Sequence, residues 1–201
     1  MSKVSAQMVK EVRQLTGAGI LDVKKALDEA EGNIDKAVDL LRQKGAARAA
    51  KRSGREANEG LIQMYSHPGG RIGVMLELNC ETDFVARNEA FQQLARDLSL
   101  QIAGMSPSYV NIEDVDSSEL DREVEVLKNQ AIAEGKPEKI VEKIVQGRLN
   151  KFYEEVCLME QPFVKDEKKK IKELVTETIS VTGENIIVRR FARYELGEEI
   201  K

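Results

Sequence analysis

Cysteine is scarce in this sequence. Its two cysteines, Cys80 and Cys157, lie far apart and do not form a Cys-x-x-Cys pair. Disulfide frameworks and structural zinc sites both need closely organised sets of cysteines. The sequence therefore predicts neither, and we expect both thiols to be reduced and mostly structural.

Long apolar runs are also missing. No hydrophobic stretch approaches the length of a membrane-spanning helix. Residues 1–7, MSKVSAQ, lack both the apolar core of a signal peptide and the Arg-rich character of a transit peptide. We therefore expect a cytoplasmic protein with no membrane association.

A marked excess of charge of one sign is absent. The 31 basic and 35 acidic residues leave a net charge of −4, and they are spread along the chain. Such a balance gives no overall attraction for nucleic acid or anionic lipid, so no direct nucleic-acid binding is predicted. With 41% hydrophobic and 33% charged residues, the 201-residue chain is predicted to form one sizeable core and a small accessory module.

Motifs for nucleotide binding and covalent catalysis are absent as well. The chain has neither a Gly-x-x-x-x-Gly-Lys-Ser/Thr phosphate loop nor a complete Gly-x-Gly-x-x-Gly fingerprint, so we do not expect it to bind GTP itself. Cys80 with His67 as its base is the best candidate catalytic pair. These residues lie at opposite ends of a predicted strand, and Glu81 and Asp83 fit a solvated turn. We predict no enzyme, no cofactor and no metal site.

Residues 4–45 have the pattern of three short helices. Ser5 can cap the first, and Gly17 and Gly19 interrupt the chain before a second helix over residues 20–31. Gly32 then ends the second helix and Asn33 caps the third. The predicted apolar faces consist of Val4, Met8, Val12 and Leu15 on the first helix and Ile34, Ala37, Val38 and Leu41 on the third.

The composition shifts over residues 46–60 toward Ala, Arg, Lys, Ser and Gly. This shift predicts a frayed helix end that passes into a linker. The segment includes a basic run of Arg48, Lys51, Arg52 and Arg55, which could attract phosphates. Because no aromatic residues are interleaved with these cations, a solvated helix face is the favoured interpretation.

The rest of the chain predicts an αβ core. Residues 61–66 and 71–79 alternate as two strands of a hairpin, and a helix over residues 88–104 has an apolar stripe. A loop over residues 107–116 precedes a helical segment, 118–159, that is split at Gly135 and Pro137. A helix over 167–182 and a strand over 185–194 complete the prediction. The side chains predicted to face the core lie on three of these elements. They are Ile72, Val74, Leu76 and Leu78 on the second strand, Phe91, Leu94, Ala95, Leu98 and Ile102 on the helix over 88–104, and Ile140, Ile144, Leu149, Phe152 and Val156 in the second half of the split segment.

The predicted fold class is therefore α+β: an N-terminal three-helix bundle followed by an αβ core with an antiparallel three-stranded sheet covered by helices. We assign residues 1–50 to the bundle, 51–59 to a linker and 60–201 to the core.

Residues 79–91 join the second strand to the helix that follows it. Thr82, Asp83 and Arg87 suit a solvated connection, yet Phe84 and Val85 stand among them. A large apolar residue at such a junction is either a lid on the local core or an anchor for a partner. Physical chemistry alone favours the lid, because most aromatic residues are buried.

Three motifs resemble one protein family. Residues 82–88, TDFVARN, resemble the signature of the elongation factor Ts family, whose members release GDP from the GTPase elongation factor Tu. Residues 9–27, VKEVRQLTGAGILDVKKAL, and residues 158–166, LMEQPFVKD, extend the likeness in the family's order. The resemblance covers nearly the whole chain.

The resemblance implies a guanine nucleotide exchange factor that binds the GDP-bound form of elongation factor Tu. By analogy, Phe84 enters the GTPase among the elements that position its Mg²⁺, and Thr82, Asp83 and Val85 shape the insertion. The N-terminal bundle, which is similar to a ubiquitin-associated domain, would contribute a second contact surface. Its implied members are Lys10, Val12, Ile20, Leu21 and Lys24, where Ile20 and Leu21 stand at positions that are often methionine.

Two further expectations follow from the chain's length. Longer members of the family carry two related core halves and an inserted helical hairpin, whereas this chain is expected to have one sheet unit and no long coiled coil. An incomplete platform of this kind favours association of two copies as a homodimer. The competing hypothesis is a protein-binding adapter that uses the bundle and has no exchange activity, in which residues 82–88 have no role.

Overall fold

The computed structural model describes residues 4–199 and confirms the α+β fold class. N-terminal helices precede an antiparallel three-stranded sheet that is accompanied by further helices. Among the described residues, none of the helices is both long enough and apolar enough to cross a membrane.

The N-terminal bundle consists of α1 (Ala6–Thr16), α2 (Ile20–Glu29) and α3 (Ile34–Arg52). The predicted caps are confirmed, because Ser5 Oγ accepts from Met8 N at 3.2 Å and Asn33 Oδ1 accepts from Lys36 N at 3.0 Å. The bundle has its own core, formed by Val9, Val12, Val23, Ala26, Leu27, Ala30, Ala37 and Leu41.

Two details of the bundle differ from the prediction. Helix α3 continues to Arg52, seven residues beyond the predicted end of the bundle pattern at residue 45. Its Ala-rich, charged sequence has high helix propensity, and Gly45 and Ala49 are buried, so packing sustains the additional turns. Leu15, which was predicted on the inner face of α1, is 64% exposed because the bundle is too small to cover it.

The strands are β1 (Glu59–Ser66), β2 (Ile72–Cys80), β3 (Pro162–Phe163), β4 (Asp166–Lys170) and β5 (Ile186–Glu195). The three-stranded sheet has the order β1-β2-β5, so the predicted third strand does join the hairpin. His67 N donates to Ile72 O at 2.9 Å and closes the turn between β1 and β2. The small β3–β4 sheet was not predicted.

The remaining helices are α4 (Asp83–Ala86), α5 (Glu89–Met105), α6 (Ser117–Ala133), α7 (Glu138–Val156) and α8 (Ile171–Thr182). The predicted inner stripe of α5 is confirmed: Phe91, Leu94, Ala95, Leu98 and Ile102 are all at most 2% exposed. The break between α6 and α7 also lies where Gly135 and Pro137 predicted it.

The start of α8 was predicted too early. Residues 166–170 are all charged and favour a helix by intrinsic propensity. In the structure they form β4, which pairs antiparallel with β3 through Pro162 with Lys170 and Phe163 with Asp166. This pairing, between residues three to eight positions apart in the chain, outweighs the intrinsic helix preference of residues 166–170.

Helices α6 and α7 form a helical hairpin, which the prediction of two helices did not anticipate as a unit. They share a small core of Leu127, Ala131, Val141, Val145 and Leu149. The predicted apolar stripe of α7 was wrong at one position, because Ile140 is 43% exposed and its neighbour Val141 is buried.

The chain divides into two compact units. The first contains residues 1–63, 77–97 and 173–189, so it unites the bundle with the end of β2, α4, the start of α5 and most of α8. The second contains residues 64–76, 98–172 and 190–201. The assignment of residues 1–50, 51–59 and 60–201 to a bundle, a linker and a core stays a prediction.

Candidate functional site

The short helix α4 presents the signature residues. Strand β2 ends at Cys80, and Thr82 is the N-cap of α4 with extended backbone dihedrals, φ −132° and ψ 156°. Thr82 Oγ1 accepts from Val85 N at 3.4 Å, which satisfies one of the free N–H groups at the start of the helix. The predicted solvated turn is therefore a single capped helical turn.

Phe84 and Val85 point in different directions although they are adjacent. Phe84 is 80% exposed, whereas Val85 is 9% exposed. Neighbouring residues on a helix are about 100° apart around its axis, so burying Val85 turns Phe84 toward solvent. The interpretation of Phe84 as a lid on the local core is wrong, and Val85 takes that position instead.

Glu184, which follows α8, holds the residues before Phe84. Its Oε2 accepts from Glu81 N at 3.1 Å and from Thr82 N at 2.9 Å. Its Oε1 accepts from Thr82 Oγ1 at 2.6 Å. One carboxylate thus binds two consecutive backbone N–H groups and the side chain of the N-cap residue.

A second set of contacts, made by the next residue Asn185 and by Arg55, holds the same connection. Glu81 Oε1 accepts from Asn185 N at 2.7 Å, and Glu81 Oε2 lies 3.3 Å from Arg55 Nη1. The Asn185 side chain is 3% exposed, and its Nδ2 donates to Arg55 O at 2.8 Å. Glu81 is therefore part of a hydrogen-bonded network, and the prediction of a merely solvated acid at this position was wrong.

The charged members around Phe84 are paired locally. Arg87 Nη2 donates to Asp83 Oδ2 at 2.8 Å across one turn of helix, in an exposed pair that contributes little to stability. Cys80 is fully buried, and its Sγ donates to Thr82 O at 3.1 Å. Burial, and next the negative charge of Glu184, raises the pKa of the Cys80 thiol to about 11.

A second candidate surface lies at the corner between α1 and α2. Gly17 ends α1 in the left-handed region, with φ 64°, and its N–H donates to Arg13 O at 2.8 Å. Ile20 and Leu21 follow on the first turn of α2, where they are 49% and 74% exposed. The corner thus places two large aliphatic side chains at the surface.

Beside Ile20 is a shallow groove of about 500 Å³. It is lined by Ala6, Val9, Lys10, Arg13, Gln14, Gly17 and Ile20. Its lining combines apolar residues with two cationic side chains, Lys10 and Arg13. It can receive an apolar side chain that has an acidic neighbour.

An ion pair fixes the start of α2 to α3. Arg48 Nη1 and Nη2 donate to the two carboxylate oxygens of Asp22 at 2.9 and 3.1 Å. These hydrogen bonds from Arg48 lower the pKa of the Asp22 carboxyl group. Asp22 follows Leu21 directly, so the pair lies next to the exposed aliphatic residues in the chain.

The structure separates the predicted bundle contacts into two kinds. Lys10 and Lys24 are exposed, as are Ile20 and Leu21, and these four can touch a partner. Val12 is fully buried in the bundle core. Its prediction as a direct contact is therefore corrected to a residue that supports the surface from within.

Sequence reasoning missed Glu184 and Asn185. Their partners in this network lie more than one hundred residues away in the chain, at separations of 102 to 130 positions. No local pattern marks such a contact. The available signal was the residue type: a carboxylate and an amide directly after Gly183, which ends α8.

The residues considered for catalysis and metal binding have other structural roles. The imidazole of His67 lies 3.0 Å from Tyr65 Oη, and Cys157 is fully buried like Cys80. Within residues 4–199, no three His, Cys, Asp or Glu side chains come together as a group that could hold a metal ion.

Comparison with known proteins shows which family the chain resembles. The family model described as "Elongation factor TS" matches residues 2–198. The chain is 58% identical over 201 residues to "Elongation factor Ts" of Desulfitobacterium hafniense, covering 100% of this chain and 93% of that protein. It is 58% identical over 198 residues to the protein of the same name from Alkaliphilus oremlandii, covering 98% and 91% of the two chains. The protein of that name from Desulforamulus reducens is 54% identical over 201 residues, with 100% and 93% covered.

Proposed function

This chain belongs to the elongation factor Ts family, and we propose that it is the guanine nucleotide exchange factor for elongation factor Tu. It promotes GDP release in the elongation cycle of protein biosynthesis, in the cytoplasm, by displacing Mg²⁺ and disturbing the phosphate site of the GTPase. It makes and breaks no covalent bond. The observation that carries the proposal is the 80% exposure of Phe84 on a short helix that is capped and whose preceding residues are hydrogen-bonded to Glu184 and Asn185.

The proposed mechanism starts from the way a GTPase holds its nucleotide. Mg²⁺ and the donors of the phosphate loop compensate the negative charge of the phosphates. Phe84 would insert between the elements that place the Mg²⁺ ligands, and loss of the cation would leave phosphate charge uncompensated. Asp83 lies next to Phe84 and can reorient the partner's backbone by a polar contact, without itself binding the cation.

The magnitudes require more than one contact surface. An acceleration of GDP release by about 10³ to 10⁵ corresponds to roughly 4 to 7 kcal/mol. Burying a single Phe side chain contributes about 1.5 to 3 kcal/mol. The remainder has to come from a broader interface, so Phe84 cannot act alone.

The corner of the bundle between α1 and α2 is the proposed source of the interaction free energy that Phe84 does not supply. Ile20 and Leu21 are exposed aliphatic residues, and Lys10 and Lys24 are exposed cations on the same small bundle. The groove beside Ile20 adds a concave apolar surface with Lys10 and Arg13 at its walls. An acidic, partly apolar helix surface of the GTPase would be complementary to it in shape and charge.

Thermodynamic linkage makes the binding of GDP and the binding of this protein to the GTPase mutually unfavourable. If this protein weakens GDP binding by a given factor, GDP weakens the binding of this protein by the same factor. Nucleotide rebinding therefore releases the exchange factor for another cycle.

The test is the rate of GDP release from purified elongation factor Tu. Fluorescent mant-GDP is bound to the GTPase, an excess of unlabelled nucleotide is added, and release is followed with and without this protein. We expect a large acceleration that saturates with its concentration. An unchanged rate despite binding to the GTPase would contradict exchange activity and favour the protein-binding adapter.

We also propose that two copies of the chain associate. Met64 on β1 and Met75 on β2, both in the second unit, are 70% and 51% exposed. Side chains alternate along a strand, so Met75 lies on the face opposite the buried Val74 and Leu76. A second copy would cover this apolar face.

A further inference from the structure

We propose that Glu184 is a positioning residue for Phe84: its carboxylate fixes the N-cap of α4 and thereby the direction in which Phe84 projects. This inference rests on the proposed exchange function, because it concerns how the inserted side chain is held ready. Glu184 does not itself belong to the signature motif that contains Phe84.

The geometry places Glu184 in a favourable position for this role. Gly183 ends α8 with φ 81°, and its N–H donates to Ile179 O at 2.9 Å. The chain then turns so that Glu184 faces the connection between β2 and α4. Both carboxylate oxygens are used: Oε2 accepts from two backbone N–H groups and Oε1 accepts from Thr82 Oγ1.

Each of these hydrogen bonds restrains the part of the chain that leads into Phe84. The N–H groups of Glu81 and Thr82 fix the backbone immediately before α4, and the bond to Thr82 Oγ1 fixes the rotamer of the N-cap side chain. Hydrogen bonds to a charged acceptor are stronger than neutral ones. Phe84 gains no such restraint from its own contacts, because it is 80% exposed.

The same segment also lies against the bundle. A Cβ built on Gly17 would be 3.0 Å from Val181 Cγ2, and one built on Gly45 would be 3.2 Å from Ser180 Oγ. Residues 180–185 therefore contact both the corner next to Ile20 and the connection before Phe84. All of these residues belong to the first unit. One short segment thus contacts the parts of the chain that carry the two proposed contact surfaces.

A positioning role predicts a specific kinetic signature. An exchange factor with a poorly held wedge still binds through the bundle, but it reaches the productive geometry less often. The plateau rate of GDP release at saturating exchange factor should fall, while the concentration that gives half of that rate changes little. A general loss of folding lowers the melting temperature and the active fraction instead.

The test uses Glu184→Ala and Glu184→Gln in the whole 201-residue chain. Alanine leaves both backbone N–H groups without this acceptor, whereas glutamine keeps one oxygen for them and can donate its amide N–H to Thr82 Oγ1. Glu29→Ala is the matched control, because Glu29 is an exposed carboxylate of the same unit that pairs with Lys44. Should Glu184→Ala fail to fold, Glu184→Asp removes one methylene and takes its place.

Two measurements are made on each variant. Amide hydrogen exchange, resolved by residue in the isolated protein, reports directly on the N–H groups of Glu81 and Thr82. Release of mant-GDP from elongation factor Tu gives the plateau rate and the half-saturating concentration. For Glu184→Ala we expect exchange at both amides to accelerate and the plateau rate to fall, each by roughly tenfold, as for loss of one hydrogen bond to a charged group. Glu184→Gln should change both quantities less than Glu184→Ala, because it keeps the hydrogen bonds with a neutral and weaker acceptor, and Glu29→Ala should stay close to the wild type.

Three outcomes would overturn the inference. Unchanged amide exchange in Glu184→Ala would show that the carboxylate does not hold the connection. Faster amide exchange with an unchanged plateau rate would show that holding it does not matter for release. A shift confined to the half-saturating concentration or to the melting temperature would indicate a binding or structural role. A wild-type protein without any exchange activity would refute the proposed function itself, and the amide data would still distinguish that failure from a missing restraint.

Discussion

Glu184 and Thr82 are separated by 102 positions in the sequence, yet their side chains share a hydrogen bond of 2.6 Å. This bond joins the end of α8 to the N-cap of α4, two residues before the exposed Phe84. A side chain that is to enter a partner must be directed before contact, because disorder in the free state reduces the gain on binding. The contact between these two residues supplies that direction from outside the motif.

Replacing Phe84 with Ala separates activity from stability. Phe84 is exposed, so its truncation should change the free energy of unfolding by at most about 0.5 kcal/mol. Loss of a contact worth about 1.5 to 3 kcal/mol should slow stimulated GDP release by roughly 10- to 100-fold. Melting temperature and mant-GDP release are measured on the same preparation. A buried Phe would instead cost about 3 to 5 kcal/mol of stability, so a large fall in melting temperature would contradict this assignment.

Chelation of Mg²⁺ tests how Phe84 acts. If Phe84 works by displacing the cation, EDTA removes the step that it accelerates. The difference in release rate between wild type and Phe84→Ala should then shrink. Release of mant-GDP is compared with and without EDTA for both proteins. A difference of undiminished size in EDTA would speak for interface affinity in place of cation displacement.

Truncating Leu21 tests the surface of the bundle. Leu21 is 74% exposed, so Leu21→Ala should leave the melting temperature unchanged. Loss of its burial against a partner, about 1 to 2 kcal/mol, should weaken affinity for elongation factor Tu by roughly tenfold. Binding is measured by titration calorimetry.

Val23→Ala is the matched control for Leu21. Val23 lies two residues further along α2 and is fully buried, so its truncation should lower the melting temperature by several degrees. Unaltered affinity in Leu21→Ala would remove this residue from the proposed interface.

The two buried thiols should resist reagents that attack thiolates. Burial raises the pKa of both Cys80 and Cys157 to about 11. At pH 8 we expect slow reaction with an aromatic disulfide reagent in the folded protein and rapid reaction of both thiols in denaturant. Fast labelling of either thiol without denaturant would show that the structure around that cysteine opens readily.

The same pKa shifts predict the direction of a stability change. Because folding raises the pKa of each thiol above its ordinary value of 9.0, their contribution is fully present below pH 9.0 and is lost as pH rises through about 11. The free energy of unfolding should fall across this interval, and it should fall less in a Cys80→Ala/Cys157→Ala double variant. An equal pH dependence of the free energy of unfolding in the wild type and the double variant would contradict the raised pKa values of the thiols.

Association of two copies is tested by light scattering. We expect a mass of twice the 22.5 kDa monomer at micromolar concentration and above. Placing a charge on the exposed sheet face, with Met75→Lys, should shift the equilibrium toward monomer without unfolding the hairpin. The monomer mass at every concentration of the wild-type chain would argue against the homodimer.

Local sequence patterns were sufficient to predict the structure wherever residues close in the chain decide the backbone conformation. The caps by Ser5 and Asn33 and the buried stripe of α5 follow from side chains three or four positions apart. The break at Gly135 and Pro137 is equally local. Motif resemblance added the candidate role of Phe84, which the general tendency of aromatic residues to be buried had favoured as a lid on the core.

The tertiary structure decided the features that depend on which groups meet in space. Residues 166–170 became β4 because they pair with β3, three to eight positions upstream, and no side-chain periodicity marks this backbone pairing. Val12 and Leu15 lie three positions apart and share a predicted face of α1, but only Val12 is covered by the other helices. Glu184 reached Thr82 for the same reason: free energies of hydrogen bonding and burial depend on which groups meet in space, and sequence separation carries little information about that.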